Sequence, residues 1–418
     1  MRMSSPLASI EPRETTPRRW LSIVGIGEDG LAGLTPLARS LVESAELVVG
    51  GPRHLALAEK LIRGETLAWP SPLDGAFPEI LRRRGRAVAV LATGDPFNFG
   101  VGKQLAGLVS ADEILCVPQP SAFSLAASRM GWALQDVACV TLHGRALEGI
   151  IRYLQPGARI LALSWDGSTP QKLAALLQSR GFGGSTVTVL ESMGGARERI
   201  RRQVAGAFNL AGVDPLNTLA IEAVAGSESR IMGLAPGLDD DLFENDGQLT
   251  KREVRALTLS SLAPRRGELL WDIGLGAGSV AIEWLLCDAS LSAIGIEERT
   301  ERAARAVRNA LALGAPDLNV VTGRAPDVLT GLPAPDAVFI GGGLTDAGVF
   351  DAAWAALKPD GRLVANAVTL ESEARLADLF ARHGGELTRI ALSRADAVGG
   401  MHGWRPAMPV THWRVRKP

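Results

Sequence analysis

The sequence predicts an α/β chain built in two unlike halves, and three observations carry that expectation. Short apolar runs end in glycine turns and are followed by segments with helical spacing, repeatedly along the chain. One such unit, Leu269 to Glu283, joins an apolar run, an acid (Asp272) and three alternate glycines. A short acidic stretch with proline and glycine, Pro236-Gly237-Leu238-Asp239-Asp240-Asp241, then marks the expected domain junction. The chain accordingly divides into a leader (1–19), a first domain (20–235) and a second domain (236–418).

Composition sets the outer limits. With 418 residues and 46% hydrophobic content, the chain can bury the cores of two or three domains. Its net charge is −1, with 44 basic against 45 acidic residues and no block of about five or more like charges, so there is no field to hold nucleic acid. Aromatic residues, at 5%, are too few for single-strand stacking platforms. Cys116, Cys139 and Cys287 are odd in number and far apart, which predicts buried, reduced thiols. The five histidines have no metal-ligand spacing, and no metal is expected. No apolar run approaches the roughly 18 residues of a membrane span. The leader is polar, contains Pro and Arg, and lacks an apolar signal region, so it reads as a disordered leader on a cytoplasmic protein.

In the first half, Trp20 to Gly27 is a buried strand running into a glycine turn, and Thr35-Pro36 is a helix start. Leu47-Val48-Val49 closes at Gly50-Gly51-Pro52. The run Ala87 to Ala92 leads into Thr93-Gly94-Asp95-Pro96-Phe97-Asn98-Phe99-Gly100, a backbone-lined loop at a strand's carboxyl end. After the strand Glu113 to Val117, Ser121 caps a helix with a small face at Ala122, Ala126 and Ala127. Beyond Gly131 a second α/β module follows, with strands expected at 139–142, 159–163, 186–190 and 218–224. The motifs Val24-Gly25-Ile26-Gly27 with Leu34-Thr35, Thr93-Gly94-Asp95-Pro96 and Pro120-Ser121-Ala122 resemble the tetrapyrrole (corrin/porphyrin) methylase family over about Trp20 to Ala225. The resemblance implies two α/β subdomains with S-adenosylmethionine (SAM) in the cleft between them, and it makes Gly94, Asp95, Ser121 and Ala122 cofactor-binding candidates. Gly27-Glu28-Asp29-Gly30 stands where many relatives have Gly-Pro-Gly, a variant closer to the branch that methylates late precorrins.

The second half turns on Gly274, Gly276 and Gly278. Glycines at every second position let a ligand lie on the backbone, because no Cβ intervenes. The loop should sit outside the carboxyl end of its strand, where open α/β sheets bind ligands. Glu297 ends the next strand, 25 residues beyond Asp272, near the offset of a ribose-binding acid. These residues leave SAM and a nicotinamide cofactor both open, although Ser279 occupies the position where a dinucleotide fingerprint needs its third glycine. Thr250 and Glu253 are spaced as a capping box just ahead of this strand. The run Ala337 to Ile340 opens onto Gly341-Gly342-Gly343. Seven strands are expected, with an antiparallel edge around the loop Gly399-Gly400-Met401-His402-Gly403.

The glycine spacing resembles the first motif of Rossmann-like SAM methyltransferases. Together with Thr250 to Arg255 and Pro335 to Gly342 it resembles the decarboxylating precorrin methyltransferase domain, over about Pro236 to Pro418. That likeness implies a seven-stranded Rossmann-like domain with Thr250, Gly274, Leu275, Gly276, Ala277, Gly278, Glu297 and Ala325 at the cofactor. The two likenesses together imply two SAM sites and methylation of a precorrin at carbons 5 and 15. They also imply loss of the ring C (carbon 12) acetate carboxyl, in cobalamin biosynthesis. A tetrapyrrole carries many carboxylates, so Arg197, Arg199, Arg201, Arg202, Lys251, Arg252 and Arg255 are candidate clamps. No catalytic acid or base stands out, and Glu283 reads as structural. A homo-oligomer is expected, without nucleic acid or membrane. Three rivals remain: an RNA or DNA methyltransferase, a nicotinamide-dependent oxidoreductase and a non-catalytic SAM-binding regulator.

Overall fold

The computed structural model describes residues 19–418. The expected disordered leader therefore lies outside the described residues, apart from Arg19. The chain forms two compact units: residues up to Gly144 with Gly157–Ser227, and Arg145–Pro156 with Glu228–Pro418. The sequence reading put the junction at Pro236, and nothing local in it separates Arg145–Pro156 from its neighbours. Within the second unit that segment is tied down by hydrogen bonds. Arg152 donates to the carbonyls of Leu285 and Leu286, at 2.9 Å each, and Gln155 donates to the Met232 carbonyl at 2.8 Å. The last carbonyls of a helix lack intrahelical partners and attract cations. Arg152 supplies both needs for the helix Ser279–Cys287.

The first unit holds two five-stranded sheets. In the first, β1 (Leu21–Ile26), β2 (Leu47–Gly50), β3 (Glu65–Ala68), β4 (Val88–Thr93) and β5 (Ile114–Val117) run parallel in the order β3-β2-β4-β1-β5. Helices on both faces explain why β1 and β2 are buried along their whole length. The second sheet is mixed: β6 (Ala138–Thr141), β7 (Arg159–Leu163), β8 (Thr186–Glu191), β9 (Arg199–Val204) and β10 (Asn217–Glu222), in the order β6-β7-β10-β8-β9. Sequence reading missed β3 and β9. Both are edge strands rich in exposed residues, so neither shows an apolar run. The two hydroxyl caps are present: Thr35 accepts from the Ala38 amide at 3.2 Å, and Ser121 from the Ser124 amide at 3.1 Å.

The second unit centres on a seven-stranded sheet. Its strands are β11 (Leu269–Ile273), β12 (Ser292–Glu297), β13 (Asn319–Thr322), β14 (Ala337–Ile340), β15 (Arg362–Ala367), β16 (Glu386–Ile390) and β19 (Val410–Arg416). The order is β13-β12-β11-β14-β15-β19-β16, with β19 antiparallel to both its neighbours. The strand sequence reverses direction between β11 and β14, which opens a crevice at their carboxyl ends. This is the Rossmann-like architecture expected, including the antiparallel edge. Three expectations need correction. The stretch around Gly399 is a hairpin of β17 (Ser393–Val398) and β18 (Met401–Pro406), not a loop. Thr250 does not cap the helix Arg252–Leu262: Lys251 is its N-cap, without a side-chain bond, and Glu253 pairs with Arg394 of the hairpin. The three cysteines are free, but Cys287 is exposed at the end of its helix, and Cys116 and Cys139 are only half-buried because β5 and β6 are edge strands.

Candidate cofactor sites

In the second unit the three glycines of the loop do different work. All have positive φ, at 78°, 56° and 79° for Gly274, Gly276 and Gly278. A Cβ on Gly274 would meet the Gly342 amide nitrogen at 2.6 Å, so this glycine lets the loops after β11 and β14 touch. A Cβ on Gly278 would come within 3.1 Å of the Ala306 methyl, in the packed interface with the helix Thr300–Ala312. On Gly276 the nearest atom would be 3.9 Å away. Gly276 is therefore the point where the loop backbone is bare to a ligand. The flanking Leu275 and Ala277 turn their side chains inward, with Leu275 seated against Gly295. They can offer a ligand only their backbone.

Two acids at neighbouring strand ends divide the electrostatics. Glu297 accepts from the Gly276 amide at 2.8 Å with one oxygen and from the Arg299 amide at 3.0 Å with the other. Asp272 is sealed at 2% exposure and accepts from the Ala281 amide at 3.1 Å. Burial, helped by the charge of Glu297, pushes its carboxyl up to about 8, against the pull of the Ala281 hydrogen bond. Asp272 is thus a neutral brace for the following helix, and Glu297 is the acid at the bare glycine. The chain ahead of the helix Arg252–Leu262 passes over the same loop, with the Gln248 carbonyl 4.0 Å from where a Gly276 Cβ would stand. Thr250 is half-buried on this segment. Ala325, buried after β13, follows Gly323, whose amide donates to the Glu297 carbonyl at 2.9 Å.

Glu283 is structural, as read from the sequence. Its carboxyl accepts from the Gly237 and Leu238 amides, at 2.6 and 2.9 Å, and from the fully buried Arg255. Arg255 also lies 4.7 Å over the Phe243 ring. The other candidate clamps are engaged as well. Arg197 pairs with Asp214, Arg199 and Arg201 with buried Glu191, Arg202 with Glu222, Lys251 with Asp240 and Arg252 with Asp239. Sequence can count cations but cannot see their partners.

In the first unit three strand ends interlock. A Cβ on Gly25 would fall 1.9 Å from the Gly94 carbonyl oxygen, and one on Gly94 (φ 55°) would fall 2.7 Å from that of Pro120 and 3.1 Å from the Ser121 Cα. The Gln119 amide donates to the Gly94 carbonyl at 3.0 Å. The structure therefore brings Gly94, Asp95, Ser121 and Ala122 together at the carboxyl edge of β4, β1 and β5. Asp95 is half-buried and accepts from the Phe97 amide at 2.9 Å.

Beside this edge stands a cluster that sequence reading missed. Arg53 binds Glu28 through one nitrogen; the other reaches the Thr93 hydroxyl at 2.8 Å and His54 Nε2 at 2.9 Å. His54 Nε2 is also 2.8 Å from the Thr93 hydroxyl. Burial and the adjacent Arg53 charge pull the imidazole down to about 4, so it is neutral near pH 7. An arginine in the first turn of the helix Pro52–Ala58 opposes the helix dipole, and that was the available signal.

The match with known proteins also falls into two parts, the first of which runs through Arg145–Pro156. Residues 21–208 match the Tetrapyrrole (Corrin/Porphyrin) Methylases family and residues 241–417 the Precorrin methyltransferase domain family. The chain is 57% identical to the precorrin-6Y C(5,15)-methyltransferase [decarboxylating] of Sinorhizobium sp, over 98% of its own length and 99% of the relative's. It belongs to the precorrin-6Y C5,15-methyltransferase (decarboxylating) family. Two shorter relatives each match only part of the chain. The probable cobalt-precorrin-6B C(15)-methyltransferase (decarboxylating) of Pyrobaculum calidifontis is 38% identical over 39% of the chain and 87% of itself. The cobalt-precorrin-7 C(5)-methyltransferase of Salmonella typhimurium is 26% identical over 45% of the chain and 92% of itself. Precorrin-6Y C5,15-methyltransferases are SAM-dependent enzymes, so the oxidoreductase, nucleic-acid and regulator readings find no support.

Proposed function

We propose that this chain methylates a precorrin at carbons 5 and 15 from SAM and removes the carboxyl of the ring C acetate at carbon 12, as a step of cobalamin biosynthesis. The observation that carries the reading is the presence of two separate, glycine-built strand-end cradles, one in each unit. The Salmonella relative's name gives one methylation and the Pyrobaculum relative's the other together with decarboxylation. On this reading 20–235 is the C5 methylase domain and 236–418 the C15 methylase and decarboxylase.

The second cradle would hold SAM through the backbone of Gly274 to Gly278, with Glu297 accepting from the ribose hydroxyls and Thr250 and Ala325 beside the nucleoside. The first would use Gly94, Asp95, Ser121 and Ala122. The open space at Gly276 fits a nucleoside there, since a side chain would fill it. When bound, SAM supplies an electrophilic methyl group. The chain's own contribution is placement, worth about 7–11 kcal/mol in favourable cases. For decarboxylation, the carboxylate would leave as carbon dioxide while the electron pair of the breaking carbon–carbon bond moves into a protonated imine of the conjugated ring, and return of that pair with the imine's proton to the former acetate carbon would leave a methyl group. The protein need only hold that ring and exclude water.

The chain is proposed to act as a homo-oligomer without nucleic acid. Support for self-association comes from the β17–β18 hairpin, where Val398, Met401 and Trp404 are 63%, 78% and 77% exposed. Among the described residues no helix is long and apolar enough to cross a membrane.

Mass spectrometry of the product from SAM and precorrin-6Y tests the reaction. Gain of two methyl groups with loss of one carbon dioxide is expected; any product lacking that combination overturns it. Calorimetric titration should find two SAM sites in the wild-type chain and one in Gly276→Arg.

A further inference from the structure

The loop that follows the first cradle carries a strained and exposed aromatic pair. Phe99 has φ 58°, a conformation that makes a bulky residue a true outlier. The residue is 52% exposed, and its ring meets buried Phe123 edge-on, with centroids 5.7 Å apart and planes at 61°. Phe97 is 50% exposed and rests over Gly102, where a Cβ would come within 3.1 Å of its ring carbon. The turn cannot relax to bury them. The Gly102 amide donates to the Pro96 carbonyl at 2.8 Å, and a Cβ on Gly100 or Gly102 would lie 2.6 or 2.7 Å from that oxygen. Folding gains little from rings left half in water, while the strain costs stability. A strained residue held at a site edge is a signature of function.

Position narrows what the rings meet. Phe97 lies two residues after Asp95, and Phe99 meets core Phe123, two residues after Ser121, so the pair sits beside the cradle residues that follow β4 and β5. Arg53, beside Thr93 and one-third exposed, lies at the same edge with its guanidinium shared between Glu28 and the Thr93 hydroxyl. A flat conjugated surface with acidic substituents matches an aromatic wall next to a cation. We infer that Phe97 and Phe99 form the wall against which the precorrin macrocycle lies for C5 methylation. The inference rests on the reading of this unit as a precorrin methylase.

The test uses full-length chain, SAM and precorrin-6Y, following C5 methylation by mass spectrometry. Phe99→Gly accepts the left-handed backbone, so it removes the ring without unfolding the turn. For Phe99→Gly and Phe97→Ala, KM for the precorrin should rise about tenfold or more with kcat within about threefold, because a contact made equally in ground and transition states moves KM alone. SAM affinity should stay within about twofold, the Phe99→Gly thermal midpoint should not fall, and Phe99→Tyr should restore wild-type KM. An active wild-type chain with KM unmoved in both variants overturns the wall while leaving the parent reading intact. A wild-type chain that forms no C5-methylated product overturns the parent reading and the wall with it.

Discussion

Asp272, one residue from the end of β11, and Glu297, which ends the neighbouring parallel strand β12, have different partners: the Ala281 amide for one, the Gly276 and Arg299 amides for the other. Asp272 is buried and held neutral up to about 8, whereas an unfolded aspartate ionises near 3.9. Between those values the folded state keeps a proton that the unfolded state has lost, so this group's contribution to stability falls as pH rises through that window. Asp272→Asn keeps an acceptor oxygen for Ala281 but cannot ionise. Its thermal midpoint relative to wild type should therefore climb from about pH 5 to about pH 8; a flat difference would show that Asp272 is not neutral. The glycines give a second test. Gly274→Ala drives a Cβ to 2.6 Å from the Gly342 amide and should lower the midpoint sharply, whereas Gly276→Ala has open space and costs only the left-handed backbone, about 1–2 kcal/mol. Gly276→Ala should nevertheless weaken SAM binding in the second unit, measured by calorimetry. Were Gly274→Ala the milder of the two in melting, the division of labour assigned to these glycines would be wrong.

At the scale of elements, the helix Arg252–Leu262 is joined to the helix Ser279–Cys287 by Arg255 and Glu283, both almost fully buried. Glu283→Gln leaves the buried guanidinium only Asp240 as a counter-charge, and losing one member of a buried pair costs about 3–5 kcal/mol. In a double-mutant cycle of Arg255→Met, Glu283→Gln and the two combined, the double variant should lose less stability in urea melts than the sum of the single losses. An additive result in that cycle would mean the pair does not interact. The hairpin β17–β18 raises a different question, since an isolated two-stranded ribbon is marginal in water. Its tether within the second unit is the Arg394–Glu253 pair, and its apolar side chains are open. Trp404→Glu should lower the mass seen by light scattering without moving the far-ultraviolet spectrum; an unchanged mass would remove this hairpin from any subunit interface.

For the whole molecule, the segment Arg145–Pro156 belongs with the second unit although a long stretch of the first separates it in sequence. A fragment starting at Glu228 lacks Arg152, and the Leu285 and Leu286 carbonyls then lose their cationic cap. Such a fragment should melt below the corresponding transition of the full chain, and Arg152→Ala in the full chain should reproduce part of the loss, about 1–3 kcal/mol. Equal midpoints would mean the cap is dispensable.

What the sequence determined by itself was periodic or spaced. Buried parallel strands read as apolar runs, the loop glycines and Glu297 fell at set offsets, and the hydroxyl caps at Thr35 and Ser121 were local chemistry. What only the tertiary structure decided was pairing between distant residues. Edge strands β3 and β9, the hairpin taken for a loop, and Lys251 in place of Thr250 as helix cap all depend on neighbours that spacing does not encode. The same holds for function: the arginines expected to face substrate are engaged by acids of the fold, and Arg53, itself paired with Glu28, meets His54 and Thr93 only because β2's turn and β4's end come together. Local order follows from backbone preference and burial period, both written along the chain. The partner of a charge is fixed only when the sheets are assembled.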